Sequence, residues 1–557
     1  MADTYDVVVI GSGPGGGTCA YALARRGVKV LLLEAGPAYD PDTDFHLDSN
    51  EWELEHFPAK IPTRSRQTYA DLQKLRDDLE DLRSWSKLRG PLVTGERRYV
   101  DGYKHVVGLG GTTLHYTGEA HRMHPRAMSM WTQYRAAADW PLSYADLEPY
   151  YQEAEVLTGV AGPESNGARW RSKPYPLPAH KLSHASQKLG EGFRKLGLSW
   201  GPNARAALSQ PYDGRPECNY CGNCLRGCPR HDRGSMDNTI IPKLEATGNC
   251  TIVTGAHVLR LETGDGDRVR RAVYIDTDGK QHSAAGRAFV VSCGAVETPR
   301  LLLNSTGKGA PQGLGNESGQ VGLNFMETVF TLTAALHPEP LHSYRGLPAD
   351  AICWDHNAPN TIPDSIGGCR FSSGVAEADL LGPFSYANRL VPGWGKAHKE
   401  EVREIFGRAL AVTAIAESLP NKYSLVRLDP EAKDEHGLPK ARIQSALSQN
   451  DFNRLRFMRK TAQEVLKAAG ADDIREEFSS YDLFAATHVF GTCRMGERSD
   501  IAVVNADCRS HRWTNLYVVD ASVFPSSGGG EAPTLTIQAL ALRAGERMAE
   551  RARRGEL

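Results

Sequence analysis

Four closely spaced cysteines form the pattern that points most directly to chemistry. Cys218, Cys221, Cys224 and Cys228 are followed by Pro229, which gives the spacing C-x2-C-x2-C-x3-C-P. Thiolates at these intervals can wrap an iron–sulfur cluster. Because the chain has a single run of this kind, Cys228 either completes a 4Fe-4S cluster or stays outside a 3Fe-4S cluster held by three thiolates. A zinc site is the alternative, and disulfides are less favoured in a chain without an export signal.

A glycine-rich turn near the start of the chain has the spacing of a nucleotide site. Gly11, Gly13 and Gly16 complete G-x-G-x-x-G directly after a β-branched apolar run. This order predicts a strand, a tight turn and a helix whose unpaired N–H groups face a diphosphate. Glu34 ends the next apolar run, where its carboxylate can accept hydrogen bonds from a ribose hydroxyl. Because a carboxylate repels a 2′-phosphate, we expect an unphosphorylated adenosine.

Two kinds of sheet are expected to position these residues. A second strand, glycine loop and helix near the C-terminus return the chain to the sheet of the glycine turn. We therefore expect a discontinuous first domain of residues 1–325 and 485–557, with a cysteine-rich insertion at about 205–235. Strands of alternating polarity between its two parts predict a substrate-binding domain at 326–484 with an antiparallel sheet.

Composition and charge argue against several classes of partner. Lys and Arg (65) nearly balance Asp and Glu (67) in 557 residues, so a nucleic-acid partner is not predicted. No apolar run is long enough to span a membrane, and no signal peptide precedes the glycine turn. We expect a cytoplasmic protein, or one that is periplasmic or membrane-associated because a partner subunit carries the export signal.

With these motifs in place, the chain resembles the glucose-methanol-choline (GMC) family of FAD-dependent oxidoreductases over nearly its whole length. The matching segments are GSGPGG with Glu34, GLGGTT at 108–113, HVFGTCRMG at 488–496, and NLYVVDASVFP with PTLTIQALA near the end. The resemblance implies an α/β fold class, with a Rossmann-type FAD-binding domain (GMC fold) plus an α+β substrate domain. The residues it implies for FAD binding are Gly11, Gly13, Pro14, Gly15, Gly16, Glu34, Ala35, Gly108, Gly110, Gly111, Thr112, Thr113, Val258, Gly294, Asp520, Ala521, Pro533 and Thr534.

The resemblance also implies a catalytic histidine. Oxidising an alcohol requires a base for the hydroxyl proton, and histidine has an unperturbed pKa of about 6.5. His488, which begins the family's histidine motif, is the expected base. The family usually places a histidine or asparagine immediately before the Pro-Thr pair, where this chain has Ala532. Glu531 is therefore a candidate for that second role, and a solvated loop carboxylate is the alternative.

The cysteine run resembles an insertion in an iron–sulfur branch of the family, which includes large subunits of sugar dehydrogenases and glycoside 3-dehydrogenases. We therefore expect a dehydrogenase that oxidises a CH–OH group of a sugar, glycoside or polyol. Its electrons would leave through the cluster to a cytochrome or quinone, and a small partner subunit is compatible with the missing export signal. The alternatives are an oxygen-dependent alcohol or sugar oxidase, a redox-neutral flavin lyase, a hydrophobic alcohol as substrate, and an electron-transfer subunit with a structural cluster.

Overall fold

Two large sheets carry the fold of this protein. The computed structural model describes residues 5–45, 48–55, 66–93, 95–164, 167–264 and 266–557. The first sheet has seven strands, in the order Cys250–Val253, Val30–Leu33, Tyr5–Ile10, Gln281–Val291, Val269–Ile275 and His257–Thr263, with Leu516–Val518 also paired to the fourth. Five strands pair in parallel, and the last two of this order form an antiparallel hairpin. The predicted Rossmann-type α/β architecture is confirmed.

Two helices follow strands of the parallel part of this sheet, and a third packs against the first of these helices. Pro14–Ala24 follows the first strand, Gly294–Asn304 follows the long strand Gln281–Val291, and Thr534–Arg553 packs against Pro14–Ala24. A Cβ atom at Gly545 would lie 2.6 Å from the Cβ of Ala22, so the glycine allows these two helices to approach closely. The first strands are short, apolar and buried, which is typical of a parallel sheet covered on both faces.

The second sheet is antiparallel, as the alternating strands predict. Its eight strands lie in the order Gly90–Pro91, Trp85–Ser86, Asp473–Ser479, Val329–Leu336, Ala409–Ala416, Cys369–Ser373, Ala351–Cys353 and Gly201–Pro202. The twenty-residue helix Gln449–Ala468 packs against its central strands. Three short strands come from outside residues 326–484, and the domain boundaries of the sequence analysis stay a prediction.

Short elements connect the two sheets. The remaining helices are Pro41–Asp44, Met130–Tyr134, Tyr144–Thr158, His184–Lys195, Ile240–Glu245, Pro383–Arg389 and Gly395–Ile405, and the 3-10 turns are Asp77–Leu82, Gly111–His115, Pro125–Met128, Cys224–Arg226 and Ala521–Val523. In a smaller sheet, strand Pro439–Gln444 lies between Leu425–Lys433 and Gln67–Tyr69. Two further strand pairs are Leu483–Ala486 with Tyr99–Tyr103, and Ala161–Gly162 with Leu177–Pro178. Within the described ranges, no helix is long and apolar enough to cross a membrane.

One segment differs from its sequence-based expectation. The charged run 69–88 has the composition of a helix, yet it contains a 3-10 turn and the strand Trp85–Ser86 instead. Its backbone groups bond to other parts of the chain: the Ala70 N–H donates to the Ile443 carbonyl at 2.9 Å, and the Leu75 N–H donates to the Glu96 carbonyl at 2.7 Å. Pairing with distant strands therefore replaces the bonds that a helix would make.

Candidate active site

A cavity of about 390 Å³ is lined from both sheets. Ile10 and Leu33, at the ends of two parallel strands, line it on one side. Arg370 and Thr413, on neighbouring strands of the antiparallel sheet, line it on the other. The carboxyl end of a parallel sheet is the usual place for a bound nucleotide, so this cavity is the candidate active site.

The glycine turn presents an open helix N-terminus to the cavity. Helix Pro14–Ala24 has no side-chain cap, and a Cβ atom at Gly13 would meet no protein atom within 4 Å. Gly11 has a φ of +92°, and a Cβ there would lie 2.4 Å from the Ser292 carbonyl oxygen. Gly16 does not line the cavity, because it packs against the Gly11 carbonyl. The open N–H groups fit a diphosphate of FAD.

Glu34 fixes the glycine turn against a second glycine-rich loop. Its carboxylate accepts hydrogen bonds from the Ser12 N–H at 3.0 Å, the Ser12 hydroxyl at 2.6 Å and the Gly36 N–H at 2.9 Å. The Gly110 N–H in turn donates to the Ser12 hydroxyl oxygen at 2.9 Å. Burial raises the pKa of Glu34, and these hydrogen bonds act in the opposite direction. Glu34 lines the cavity, where a ribose hydroxyl would find an acceptor.

Most residues expected to bind FAD line this cavity. Those that do are Gly11, Gly13, Pro14, Gly15, Glu34, Ala35, Gly111, Thr112, Thr113, Val258, Gly294, Asp520, Ala521, Pro533 and Thr534. Gly108 and Gly110 lie behind the wall, where Ser12 bonds to them. Asp520 accepts hydrogen bonds from the Gly294 N–H at 2.9 Å and the Thr298 hydroxyl at 2.6 Å, so it fixes the start of helix Gly294–Asn304. The donors and the shape of this wall fit FAD.

His488 lies in the wall of the same cavity. The main chain holds it, because the His488 N–H donates to the Thr328 hydroxyl at 3.2 Å and the His488 carbonyl accepts from that hydroxyl at 2.9 Å. Burial lowers the pKa of His488 to about 4, with Glu119 opposing and Arg370 reinforcing the shift. The imidazole is therefore neutral near pH 7, which is the form that can accept a proton.

Sequence reasoning missed a buried ion pair at this end of the cavity. Arg370 donates to the Glu119 carboxylate at 2.6 Å, and both side chains line the cavity. The Asn203 amide donates to the other Glu119 oxygen at 2.9 Å. Arg370 and Ser372 are two residues apart in strand Cys369–Ser373, so their side chains lie on the same face of the strand. This spacing of polar residues is the sequence signal that could have indicated a polar cavity wall.

Glu531 does not line the cavity. Its carboxylate accepts hydrogen bonds from Arg169 at 2.6 Å and from the His124 N–H at 3.0 Å. Burial opposes its ionisation, but Arg169 and His124 hold the pKa of Glu531 below its ordinary value. Glu531 is therefore a buried member of an ion pair, and its catalytic role stays a prediction without geometric support. Ala532 does line the cavity, and its N–H donates to the His121 ring at 3.0 Å.

The cysteine run, predicted to bind an iron–sulfur cluster, packs beside the cavity. The loop reaches the cavity through Leu225, whose carbonyl contacts the His115 ring. Cys228 donates to Asp232 at 3.4 Å, and burial raises the pKa of Cys224 to about 12. No three His, Cys, Asp or Glu side chains in the described part of the chain form a group that could hold a metal ion. The structure therefore gives no support to the iron–sulfur cluster, which stays a prediction from the cysteine spacing.

Comparisons with known proteins agree with this geometry. A Rossmann-like NAD(P)-binding model matches residues 9–39, and the two GMC oxidoreductase models match residues 75–329 and 420–541. The 2-methyl-1,2-propanediol dehydrogenase of Mycolicibacterium austroafricanum is 32% identical, over 99% of this chain and 96% of the relative. The fructose dehydrogenase large subunit of Gluconobacter japonicus is 28% identical, over 97% of each.

A solved structure shows the same fold at low sequence identity. Pyridoxine 4-oxidase from Mesorbium loti superposes with a TM-score of 0.61 at 20% identity, over 98% of this chain and 99% of that one. Such a likeness supports the fold and leaves the substrate open. The motifs, the cavity that they line and the full-length relatives lead to one conclusion: this chain is an oxidoreductase that belongs to the GMC family.

Proposed function

We propose that the protein is an FAD-dependent dehydrogenase that oxidises a CH–OH group of a sugar, glycoside or polyol. One observation carries the proposal: His488 shares one cavity with the residues that fit FAD. A neutral imidazole and a flavin are the two acceptors that alcohol oxidation needs, one for the proton and one for the hydride.

The residues of the chain supply binding and proton transfer. The open N-terminus of helix Pro14–Ala24 would hold the diphosphate of FAD, and Glu34 would accept a hydrogen bond from its ribose. FAD held in this way would supply the acceptor for the hydride of the alcohol carbon. His488 takes the hydroxyl proton on a ring nitrogen as the carbonyl product forms. The Glu119–Arg370 pair lies in the same wall and contributes polar groups that orient the substrate.

The substrate class rests on the cavity wall and on the relatives. Arg370, Glu119 and Ser372 make this part of the wall polar, and such a wall favours a substrate with several hydroxyl groups over an apolar alcohol. The two relatives described above are named for a diol and a sugar, and both are dehydrogenases.

Electron exit through a cluster stays a prediction. The cysteine spacing and the contact of the cysteine loop with the cavity favour an iron–sulfur cluster, whereas the arrangement of the thiols does not. Iron and acid-labile sulfide analysis of the purified protein tests the cluster. The cellular location, cytoplasmic or exported with a partner, likewise remains a proposal.

Stopped-flow absorption tests the proposal without any acceptor. Mixing the FAD-loaded protein anaerobically with a sugar, a glycoside or a polyol should bleach the flavin bands. The same mixtures in air should form little hydrogen peroxide, because a dehydrogenase reacts slowly with oxygen. Rapid peroxide formation would instead identify an oxidase. Failure of every alcohol to bleach the flavin would favour the redox-neutral lyase.

A further inference from the structure

One carboxylate oxygen in the cavity wall has no hydrogen-bond partner among the described residues. Glu377 follows strand Cys369–Ser373 and lines the cavity. Its Oε2 atom is buried and unpaired, and the backbone hydrogen bond that the carboxylate accepts comes from the N–H of Glu377 itself. A buried acceptor without a donor is costly, so such a group at a cavity wall indicates a ligand that supplies the donor.

A second unpaired polar group lies in the same wall. Thr413 is only 5% exposed, lines the cavity, and its hydroxyl oxygen has no hydrogen-bond partner within the described chain. Strands Cys369–Ser373 and Ala409–Ala416 pair so that Thr413 lies opposite Ser372, two positions along from the pair of Arg370 and Ile415. Two unsatisfied oxygens, one acidic and one a hydroxyl, therefore belong to side chains that line the cavity.

The nearby cations are already engaged. Arg370 donates to Glu119, to the Gly530 carbonyl at 2.8 Å and to the Ser372 hydroxyl at 2.8 Å. Arg205, the other cation that acts on Glu377, donates to the carbonyls of Thr117, Pro348 and Ala349 and does not line the cavity. Among the described residues, neither arginine therefore donates a hydrogen bond to Glu377.

We propose that Glu377, assisted by Thr413, binds a second hydrogen-bond donor of the substrate, a hydroxyl or an ammonium group other than the hydroxyl that reacts. The inference rests on the proposed function and deepens it, because it makes Glu377 the residue that selects polyols or amino alcohols over simple alcohols. Burial, reinforced by Glu119, raises the pKa of Glu377 to about 7, while the residue's own backbone N–H, Arg205 and Arg370 act in the opposite direction.

Three probes that share a secondary hydroxyl test this role: propane-1,2-diol, 1-aminopropan-2-ol and propan-2-ol, with hydroxyacetone as the diol product that shows reaction at the shared hydroxyl. The readout is the second-order rate of anaerobic flavin reduction. For the wild-type holoenzyme we expect at least one of the first two to exceed propan-2-ol by about 100-fold, since a site built to bind a donor rejects an analogue without it. The faster of the two identifies the donor as a hydroxyl or an ammonium group.

Variants separate recognition from a structural role. Glu377→Leu should abolish the preference and leave propan-2-ol within about threefold of wild type, and the isosteric Glu377→Gln should retain part of a hydroxyl preference. Thr413→Val should weaken the preference. Glu400→Leu, on the exposed face of helix Gly395–Ile405, should leave all three rates unchanged.

Two outcomes would overturn the inference. One is an equal loss of rate for all three probes in both Glu377→Leu and Glu377→Gln, and the other is a wild type that shows no preference among the probes. If none of the probes, sugars or glycosides reduces the flavin of the wild type, the proposed function itself is contradicted.

Discussion

A histidine that stays neutral near pH 7 is the residue on which the proposed chemistry depends. Replacing His488 by alanine removes the proton acceptor and leaves the FAD motifs intact. We expect the rate of anaerobic flavin reduction to fall by about 10²- to 10⁴-fold, with FAD still bound. The wild-type rate should hold near neutral pH and decline only as the pH falls towards about 4, where the imidazole becomes protonated.

A remote histidine provides the control for this prediction. His398 lies on helix Gly395–Ile405 and does not line the cavity. Its ring forms a hydrogen bond with the Pro392 carbonyl. His398→Ala should reduce its flavin at the wild-type rate. Near-normal reduction in His488→Ala would remove His488 from the mechanism.

For the Arg169–Glu531 pair we expect a loss of stability with little change in the rate of flavin reduction. Both side chains are 2% exposed, so loss of the Glu531 charge in Glu531→Gln leaves the Arg169 guanidinium buried without a counter-charge. We expect the free energy of unfolding to fall by roughly 3 kcal/mol, seen as a lower thermal midpoint. Flavin reduction should stay within about tenfold of wild type. A loss of reduction by orders of magnitude at unchanged stability would support a catalytic Glu531 instead.

Single residues were predictable where a motif fixes them. The glycine turn, Glu34 and His488 lie in short segments whose spacing is set by the chemistry, and the structure places them around one cavity. Glu119 and Glu377 lie in no such motif. They reach the cavity because strands and turns distant in sequence come together, which the sequence alone does not reveal.

At the scale of elements, the strand and helix around the glycine turn determine whether FAD can bind. A Cβ atom at Gly16 would lie 1.9 Å from the Gly11 carbonyl oxygen, whereas one at Gly13 would meet no protein atom within 4 Å. Gly16→Ala should therefore disrupt the strand–helix contact and give little folded protein. Gly13→Ala should fold and bind FAD at least about tenfold more weakly, because its methyl group enters the cavity.

Fluorescence titration of the folded apoprotein with FAD measures this difference. Gly201→Ala is the control, since a Cβ at Gly201 also has open space and the residue does not line the cavity. If Gly13→Ala binds FAD as tightly as Gly201→Ala, the helix N-terminus is not the diphosphate site.

The second sheet shows where element-level prediction ends. Alternating polarity correctly indicated antiparallel strands such as Val329–Leu336, but not which strands are neighbours. The register that sets Ser372 opposite Thr413 depends on long-range pairing between strands Cys369–Ser373 and Ala409–Ala416. The helix expected for the charged run 69–88 is wrong for the same reason, because strands hundreds of residues away pair with both ends of this segment.

At the scale of the whole molecule, buried thiols limit stability at high pH. Burial raises the pKa of each cysteine outside the run 218–228, namely Cys19, Cys250, Cys293, Cys353, Cys369, Cys493 and Cys508. The unfolded chain ionises near pH 9 while the folded chain does not, so stability is full below about pH 9 and is lost as the pH rises. Each thiol contributes up to about 1.4 kcal/mol per pH unit.

Thermal unfolding of the holoenzyme at several pH values measures this effect. The midpoint should fall steadily as the pH rises from about 9 to about 10.5, and return when the sample is brought back to neutral pH. Cys353→Ala should make the decline less steep. A midpoint that is constant or rises over this range would show that the thiols are not buried as the fold requires.

The central claim is that this cavity oxidises a polar alcohol with FAD, and anaerobic absorption of the holoenzyme tests it most directly. Addition of a sugar, a glycoside or a polyol should bleach the flavin of the wild type within seconds, and His488→Ala should bleach orders of magnitude more slowly with the same FAD content. An oxidised flavin that persists with every alcohol in the wild type, or equal rates in the two proteins, would contradict the account.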